Sequence, residues 1–583
     1  AVAYVTGMQG SDPRYYLAIA TPKHFDVHSG PEPTRHFADV DVSKHDMEDT
    51  YLPAFRAAIV QGHAGSVMCA YNAIDGEPAC ANRFLLQHTL RGAWQFQGYG
   101  VSDCDAVRDI FSGHHFRPTQ AQASAISLQR GMDNECADFP DFSPADAAGD
   151  SDYEPFVTAV QQGYLSETAL DTALIRLFSA RIRLGMFDPP SMVPYSRMPQ
   201  QELDSPAHRK LALHLAEESM VLLKNDGVLP LRHVRRIAVV GPLADQTEVL
   251  LGNYTGTPTH TVSFLQGLKA EFPKADITYV AGTPFLTGDP KHPVFPANDA
   301  PDPAAIAAAR SADVVIAVVG ITSHLEGEEM PIDLPGFLGG DRTSLAMPQP
   351  EENLVRAVAA TGKPLVVVLM NGSALAVNWE KAHADAILEA WYSGEEGGAA
   401  IAATLSGRND PAGRLPVTFY TGVSQLPKFE DYSMAGRTYR YFDGQPLWPF
   451  GYGLSYTTFR YGHLTLPAGP IAAGAPLTAS VSVTNTGKAA GDEVAELYLK
   501  FPDVPGAPLR ALRGFRRIRL EPGASRVVTF QLGSRDLSMV TQAGDRIVAQ
   551  GTYEVSVGGG QPGTGAPSVS GTFRVNGQIE LPE

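Results

Sequence analysis

The rhythm of hydrophobic and polar positions changes twice along the chain. From Ala1 to about Met198, short apolar runs alternate with amphipathic stretches. The runs "YYLAIATPKHF" (15–25), "GSVMCAYN" (65–72) and "YGVSD" (99–103) predict strands, and the i, i+3, i+4 spacing in "DMEDTYLPAFRAAIVQG" (46–62) and "NRFLLQHTLRGAW" (82–94) predicts helices between them. Repeated β-α units of this kind build a parallel sheet or barrel, and in both the functional groups gather at the C-terminal strand ends.

A proline-rich passage, "GMFDPPSMVPYSRMP" (185–199), interrupts the pattern and reads as a linker. The next rhythm, 203–453, has continuous apolar runs, "RRIAVVGP", "ADVVIAVVG", "KPLVVVLMNG" and "DAILEAWY", of the sort buried on both faces of a parallel sheet. The helical stretches "SPAHRKLALHLAEESMVLL" (205–223) and "PEENLVRAVAATG" (350–362) separate them, so an α/β/α sandwich is expected. From 454 to 583 the period shortens to strict alternation, as in "APLTASVSVTNTG", "EVAELYLKF", "SRVVTFQLG" and "GTYEVSVGG", which predicts an antiparallel β-sandwich. Three domains, 1–198, 203–453 and 454–583, are expected for 583 residues.

Composition narrows the function. A formal charge of −18 argues against a nucleic-acid partner, which needs clustered Lys and Arg. No apolar run is long enough to predict a membrane span, and the first residues lack the pattern of a signal peptide. The chain starts at Ala1 and not at Met, so an upstream segment is expected to have existed. Its four cysteines, Cys69, Cys80, Cys104 and Cys136, include no CxxC and give no zinc motif. Cys69 and Cys80 flank a turn-rich segment that can close on itself, which leaves Cys104 for Cys136; four reduced, buried thiols are the alternative.

Several motifs fail. "GGGQPG" (558–563) follows a strand but precedes no helix, so it reads as a hairpin turn. Walker A, HExxH and GxSxG patterns are absent from the sequence. His114 and His115 are neighbours whose side chains diverge, a poor metal pair.

What survives is a set of strand ends: Lys23 and His24 in "PKHF", Tyr71 and Asn72 in "CAYN", and Asp103 and Asp105 in "VSDCD". A carboxylate beside long hydrogen-bond donors is what cleavage of a glycosidic bond requires. Taken singly, each has a bland reading as a surface pair, a packed aromatic or a helix cap.

The ordered motifs "KHF", "VMCAYNAIDGEPACA", "GYGVSDCDAV", "ESMVLLKNDGVLPL" and "WPFGYGLSYTTF", with the closing sandwich, resemble glycoside hydrolase family 3, specifically its three-domain β-glucosidases and β-xylosidases. The resemblance implies an α/β multidomain protein: a (β/α)8-type barrel, an α/β/α sandwich carrying the acid/base loop, and a fibronectin-III-like β-sandwich. It also implies an exo-acting retaining β-glycosidase for terminal β-D-xylosyl or β-D-glucosyl residues, with no metal or cofactor. Asp103 would be the nucleophile and Asp105 structural; Cys104, where glucosidases typically carry tryptophan, leans toward the xylosidase branch. Lys23, His24 and Tyr71 would hold the sugar and Met68 would touch it through an apolar contact.

The acid/base falls in "VVIAVVGITSHLEGEEMP", where Glu328 aligns best with the family's loop, though Glu326 and Glu329 compete. Glu326 and Glu329 are expected to give Glu328 a like-charge environment that raises its pKa. Glu395 and Glu396 in "SGEEGG" resemble a structural turn. Family members usually carry a further stretch before the point matching Ala1, with an aspartate and an arginine that grip the sugar, so the barrel is expected to be incomplete at its N-terminus. Two alternatives stay open, a catalytically impaired carbohydrate-binding fragment and a β-N-acetylhexosaminidase. The implied partner is a β-linked oligosaccharide, with a homodimer as one option for assembly. The candidate disulfides, acidic balance and polysaccharide chemistry favour a periplasmic or secreted protein.

Overall fold

The computed structural model of the chain describes residues 1–136, 154–289 and 292–583. In the first unit, the strands Ser66–Cys69 and Tyr99–Ser102 pair in parallel, Ser66 with Tyr99 through Cys69 with Ser102. Parallel bridges from Phe25 to Cys69 and from Val101 to Asn134 extend this pair to four neighbouring segments of a barrel wall. The helical run 44–61 and the helix Phe84–Ala93 follow the first two wall segments, as their apolar spacing predicts. Their inward faces, with Leu52, Ile59, Leu85, Leu86 and Leu90, join one core with Phe25, Val67 and Ile110.

The expected strand 15–25 is corrected. It bends at Leu17 and Ala18; beyond them its carbonyls at Ala20 and Pro22 accept from Ser66 and Met68, but regular pairing is confined to Phe25. Pro22 has no N–H to donate, so the ladder cannot run through it. The proline-rich passage also does more than link. Val193 is buried, Tyr15 donates to Asp188 at 2.6 Å, and Asp12 N–H donates to Tyr195 Oη at 3.2 Å, tying the passage to the start of the chain.

The second unit is a six-stranded sheet. Val314–Gly320 lies between Leu365–Met370 and Arg236–Val240, all parallel, with Ala386–Glu389 and Asp276–Val280 continuing outward on either side. Every residue of Val314–Gly320 and Leu365–Met370 is buried, the signature of a central parallel strand. Val221–Asn225 closes one edge antiparallel to Ala386–Glu389. The helix expected over 205–223 is shorter: Pro206–Ser219 ends before "MVLL", and Val221 onward is strand.

In the third unit two sheets pack face to face. One contains Phe459–Thr465, Leu477–Asn485 and Ser525–Leu532; the other contains Gly491–Lys500, Ala511–Leu520, Gly551–Gly558 and Ser568–Asn576. Alternate residues such as Val481, Val483, Leu497, Leu499, Val555 and Val557 fill the space between. The segment from Gly559 to Gly563 lies in the connection between the antiparallel strands Gly551–Gly558 and Ser568–Asn576.

The units interlock. Tyr432, from the segment that closes the second unit, belongs to the first unit's core and donates its hydroxyl to Gly30 O at 2.5 Å. Arg440 reaches Asp49 at 2.6 Å, and Arg546 of the third unit donates to Glu48 O. No helix of the described residues is long and apolar enough to cross a membrane.

Candidate active site

The strand Tyr99–Ser102 ends at Asp103, whose N–H donates to Cys69 O at 3.2 Å on the neighbouring strand. Its Oδ1 accepts from Cys104 N–H at 2.9 Å, and its Oδ2 stands 2.5 Å from His24 Nε2. Both atoms of that last contact are buried, and the approach is not aligned as a hydrogen bond. Burial is the largest influence on Asp103 and raises its pKa. The His24 contact, the Cys104 N–H and the Lys23 charge together outweigh it and hold the carboxyl below its ordinary range.

Two disulfides bracket this position. Cys69 is joined to Cys80 and Cys104 to Cys136, so the residue that receives Asp103 N–H and the residue that donates to its carboxylate are both cross-linked. Asp105 takes a left-handed conformation at the start of the helix Ala106–Ser112, and its N–H donates to Cys136 O at 2.9 Å.

Glu328 arrives from the loop that leaves Val314–Gly320. Its Oε1 is paired with Arg35 and lies 3.8 Å from His24 Nε2; its Oε2 accepts from Tyr254 Oη and lies 3.9 Å from Lys23 Nζ. One ligand atom each of His24, Asp103 and Glu328 lies within 4.8 Å of the other two. By distance that trio has the make-up of a metal site, but Arg35 and Lys23 already face it with positive charge. The expectation of a like-charge surrounding for Glu328 is therefore corrected.

Its two acidic neighbours point elsewhere. Glu326 turns back to the sheet, where its carboxylate accepts from Gly372 N–H at 2.8 Å, Tyr392 Oη at 2.6 Å and Ser373 Oγ. Glu329 turns to His36. The loop root is compact: Gly340 has φ near +103°, and a Cβ there would lie 1.8 Å from Gly327 O. Farther along, Glu32 N–H donates to Asp341 Oδ2 at 2.6 Å while Glu32 Oε2 accepts from Glu329 N–H at 2.9 Å, a reciprocal tie between the units.

Tyr71 forms the floor. Its ring carries Arg35 at 4.4 Å and meets the rings of His36 at 4.8 Å and His28 at 5.8 Å. Burial, then the Asp103 charge, keeps its hydroxyl protonated. Burial also pushes His28 down to about 4, so it sits in the cluster as a neutral ring. Met68 is half-buried in its strand, in register with Val101. Arg35, His28 and Tyr254 escaped the sequence reading. His114 supports the strand end through Tyr71 O at 2.7 Å and His115 caps Phe111 O, so their rings serve separate backbone groups. Glu396 pairs with Arg209, and the Glu395 carbonyl accepts from Val262 N–H.

With that geometry, the comparisons decide the family. Residues 1–180 match the Glycosyl hydrolase family 3 N terminal domain, 220–456 the Glycosyl hydrolase family 3 C-terminal domain, and 493–561 a Fibronectin type III-like domain. The chain belongs to glycoside hydrolase family 3. It is 33% identical to a xylan 1,4-beta-xylosidase of Xylanibacter ruminicola, over 96% of this chain and 79% of that protein. It is 34% identical to a periplasmic beta-glucosidase of Salmonella typhimurium, over 95% and 74%. Among solved structures, a family 3 exo-beta-xylosidase in complex with a xylobiose aziridine activity-based probe superposes with a TM-score of 0.86 at 28% identity, covering 100% of this chain and 75% of that one. As a family 3 member the chain is a glycoside hydrolase, and its barrel-type, α/β/α and fibronectin-like units are those of the family's multidomain fold.

Proposed function

We propose that the chain is an exo-acting retaining β-glycosidase that releases terminal β-D-xylosyl or β-D-glucosyl residues from oligosaccharides. The observation that carries this reading is the approach of the Asp103 and Glu328 carboxylates to within 4.8 Å across the two units. Retaining enzymes hold their carboxyls roughly 5 Å apart, and inverting ones leave room for a water between them.

In this reading residues 1–198 supply the nucleophile and 203–453 the acid/base. An Asp103 oxygen attacks the anomeric carbon as the bond to the leaving oxygen breaks, and Glu328 gives that oxygen its proton. A water then attacks the same carbon, Glu328 takes its proton, and Asp103 departs as a carboxylate. Lys23, His24 and Tyr71 hold sugar hydroxyls, and Met68 meets an apolar face of the ring. The His24–Asp103 contact supports an ionised nucleophile, and the Arg35 pair holds Glu328 in reach. Neither alternative, an inactive binding fragment or an N-acetylhexosaminidase, is favoured by relatives that are xylosidases and glucosidases. Two disulfides and the resemblance to a periplasmic relative support an oxidising compartment, periplasmic or extracellular.

The test is hydrolysis of aryl β-xylosides, β-glucosides and β-N-acetylglucosaminides by the chain, by Asp103→Asn and by Glu328→Gln. Turnover abolished by Asp103→Asn, and impaired by Glu328→Gln mainly for poor leaving groups, is expected. A folded chain that turns over none of the three sugars would overturn the reading.

A further inference from the structure

Beside the Arg35–Glu328 pair runs a second link that the chemistry above does not use. His36 has both ring nitrogens occupied by carboxylates: Nδ1 lies 2.6 Å from Asp109 Oδ2 and Nε2 lies 2.6 Å from Glu329 Oε1. Asp109 is buried on the helix Ala106–Ser112, which begins just after Asp103. Glu329 adjoins Glu328 and has φ near +49°, a left-handed conformation that non-glycine residues seldom hold without cause. The backbone of His36 is fixed from behind, because Gly113 packs so closely that a Cβ there would lie 2.0 Å from His36 O. A neutral imidazole presents one donor and one acceptor, so only the imidazolium satisfies two carboxylates at once.

We propose that His36 is a positioning residue whose imidazolium bridges Asp109 and Glu329 and so sets the direction in which Glu328 faces Asp103. The proposal rests on the reading of Glu328 as acid/base. Successive residues of one segment grip successive residues of the other, Arg35 on Glu328 and His36 on Glu329. Such a two-point grip fixes rotation of the loop as well as its distance, which a single pair cannot do. Releasing the Glu329 side chain leaves the left-handed turn tied only through its N–H to Glu32, and Glu328, still paired with Arg35, is then less firmly directed at Asp103.

The titratable and charged groups around the ring are Asp109 on the helix, Glu329 and Glu328 on the loop, Tyr71 at the strand end, and Arg35 and Glu32 on its own segment. The Asp109 bond, opposed by burial and reinforced by Glu329, pushes His36 up to about 9. The bridge therefore persists through neutral pH and dissolves above it.

The test compares His36→Phe and Glu329→Gln with the unmodified chain on two glycosides of the preferred sugar, one with a dinitrophenolate leaving group and one with an unactivated phenolate. Displacement of a proton donor by about 1 Å costs on the order of 100-fold. Loss of kcat/KM by about 10- to 100-fold on the unactivated substrate is expected, with a several-fold smaller loss on the dinitrophenyl one. The unmodified chain is expected to lose part of its rate on the unactivated substrate as pH passes 9, and both variants should lack that loss. Glu329 is exposed, so Glu329→Gln decides the matter even if His36→Phe, which strips buried Asp109 of its partner, unfolds. An unchanged ratio between the two substrates in Glu329→Gln, with Glu328→Gln impaired, overturns the bridge alone. If Glu328→Gln also leaves the ratio unchanged, the acid/base reading falls and the bridge with it.

Discussion

Arg35, almost wholly buried in the first unit, is paired with Glu328 of the second, 293 residues later in the chain. Its guanidinium also meets Glu32 at 2.7 Å and lies over the Tyr71 ring. One side chain thus joins the acid/base candidate, the inter-unit tie and the floor of the site.

Arg35→Met should cost roughly 3 kcal/mol of stability, the usual penalty for leaving one partner of a buried pair uncompensated. Arg35→Lys should recover part of the stability but little of the activity, because an ammonium cannot serve two carboxylates and an aromatic face together. Urea midpoints and kcat/KM on an unactivated glycoside, measured side by side, check this; equal recovery of both by lysine would contradict it.

A second expectation concerns pH. Asp103 is held below its ordinary range against the pull of burial, chiefly by His24. Its contribution to stability is present above the unfolded carboxyl pKa and is lost as pH falls through the lower folded value. His24→Gln should therefore move the acid limb of the kcat/KM profile to higher pH as well as lower the plateau. A limb that stays in place would mean that His24 does not tune this carboxylate.

The disulfides give a third. In the chain-entropy account, opening Cys104–Cys136, which spans 32 residues, should cost about 3 to 4 kcal/mol, and opening Cys69–Cys80, which spans 11, about 3 kcal/mol. Cys104→Ser/Cys136→Ser should lower kcat beyond this loss of stability, because Cys104 N–H is the donor to Asp103. Activity assayed well below the variant's melting temperature separates the two effects.

Asp26 supplies the fourth. It is 2% exposed, Oδ1 accepts from Val27 N–H at 2.6 Å, and Oδ2 is buried with no partner among the described residues. Burial raises it from 3.8 to about 7. The folded chain then holds this proton more tightly than the unfolded chain, so stability falls as pH rises from about 4 to about 7 and levels off above. Asp26→Asn should abolish that decline, gaining on the order of 2 to 4 kcal/mol relative to the parent between pH 4 and 8. Urea midpoints across this range are the measurement.

Much of this architecture is legible in periodicity. Continuous apolar runs give the central strands of the second sheet, and strict alternation gives the sandwich, because each pattern reflects burial on two faces or one. The reading slips where two patterns overlap. "MVLL" extends the helical spacing of the stretch before it, yet pairs as an edge strand because Ala386–Glu389 offers an open partner. At the site, Lys23, His24 and Asp103 are readable as strand ends and Glu328 as the loop after a strand. Arg35 and Tyr254 carry no local signal: each is one polar residue in a loop, and its partner Glu328 lies 293 or 74 residues away.

The seam between the units also makes the chain its own timekeeper. Domains tend to fold in the order they are synthesised. His24, Arg35 and Asp103 leave the ribosome long before Glu328, so under the proposed mechanism a growing chain carries only half of the groups that the reaction needs. In a refolding experiment, backbone signals report each unit closing on itself. The first hydrolysed glycoside marks a later event, the moment the two halves meet.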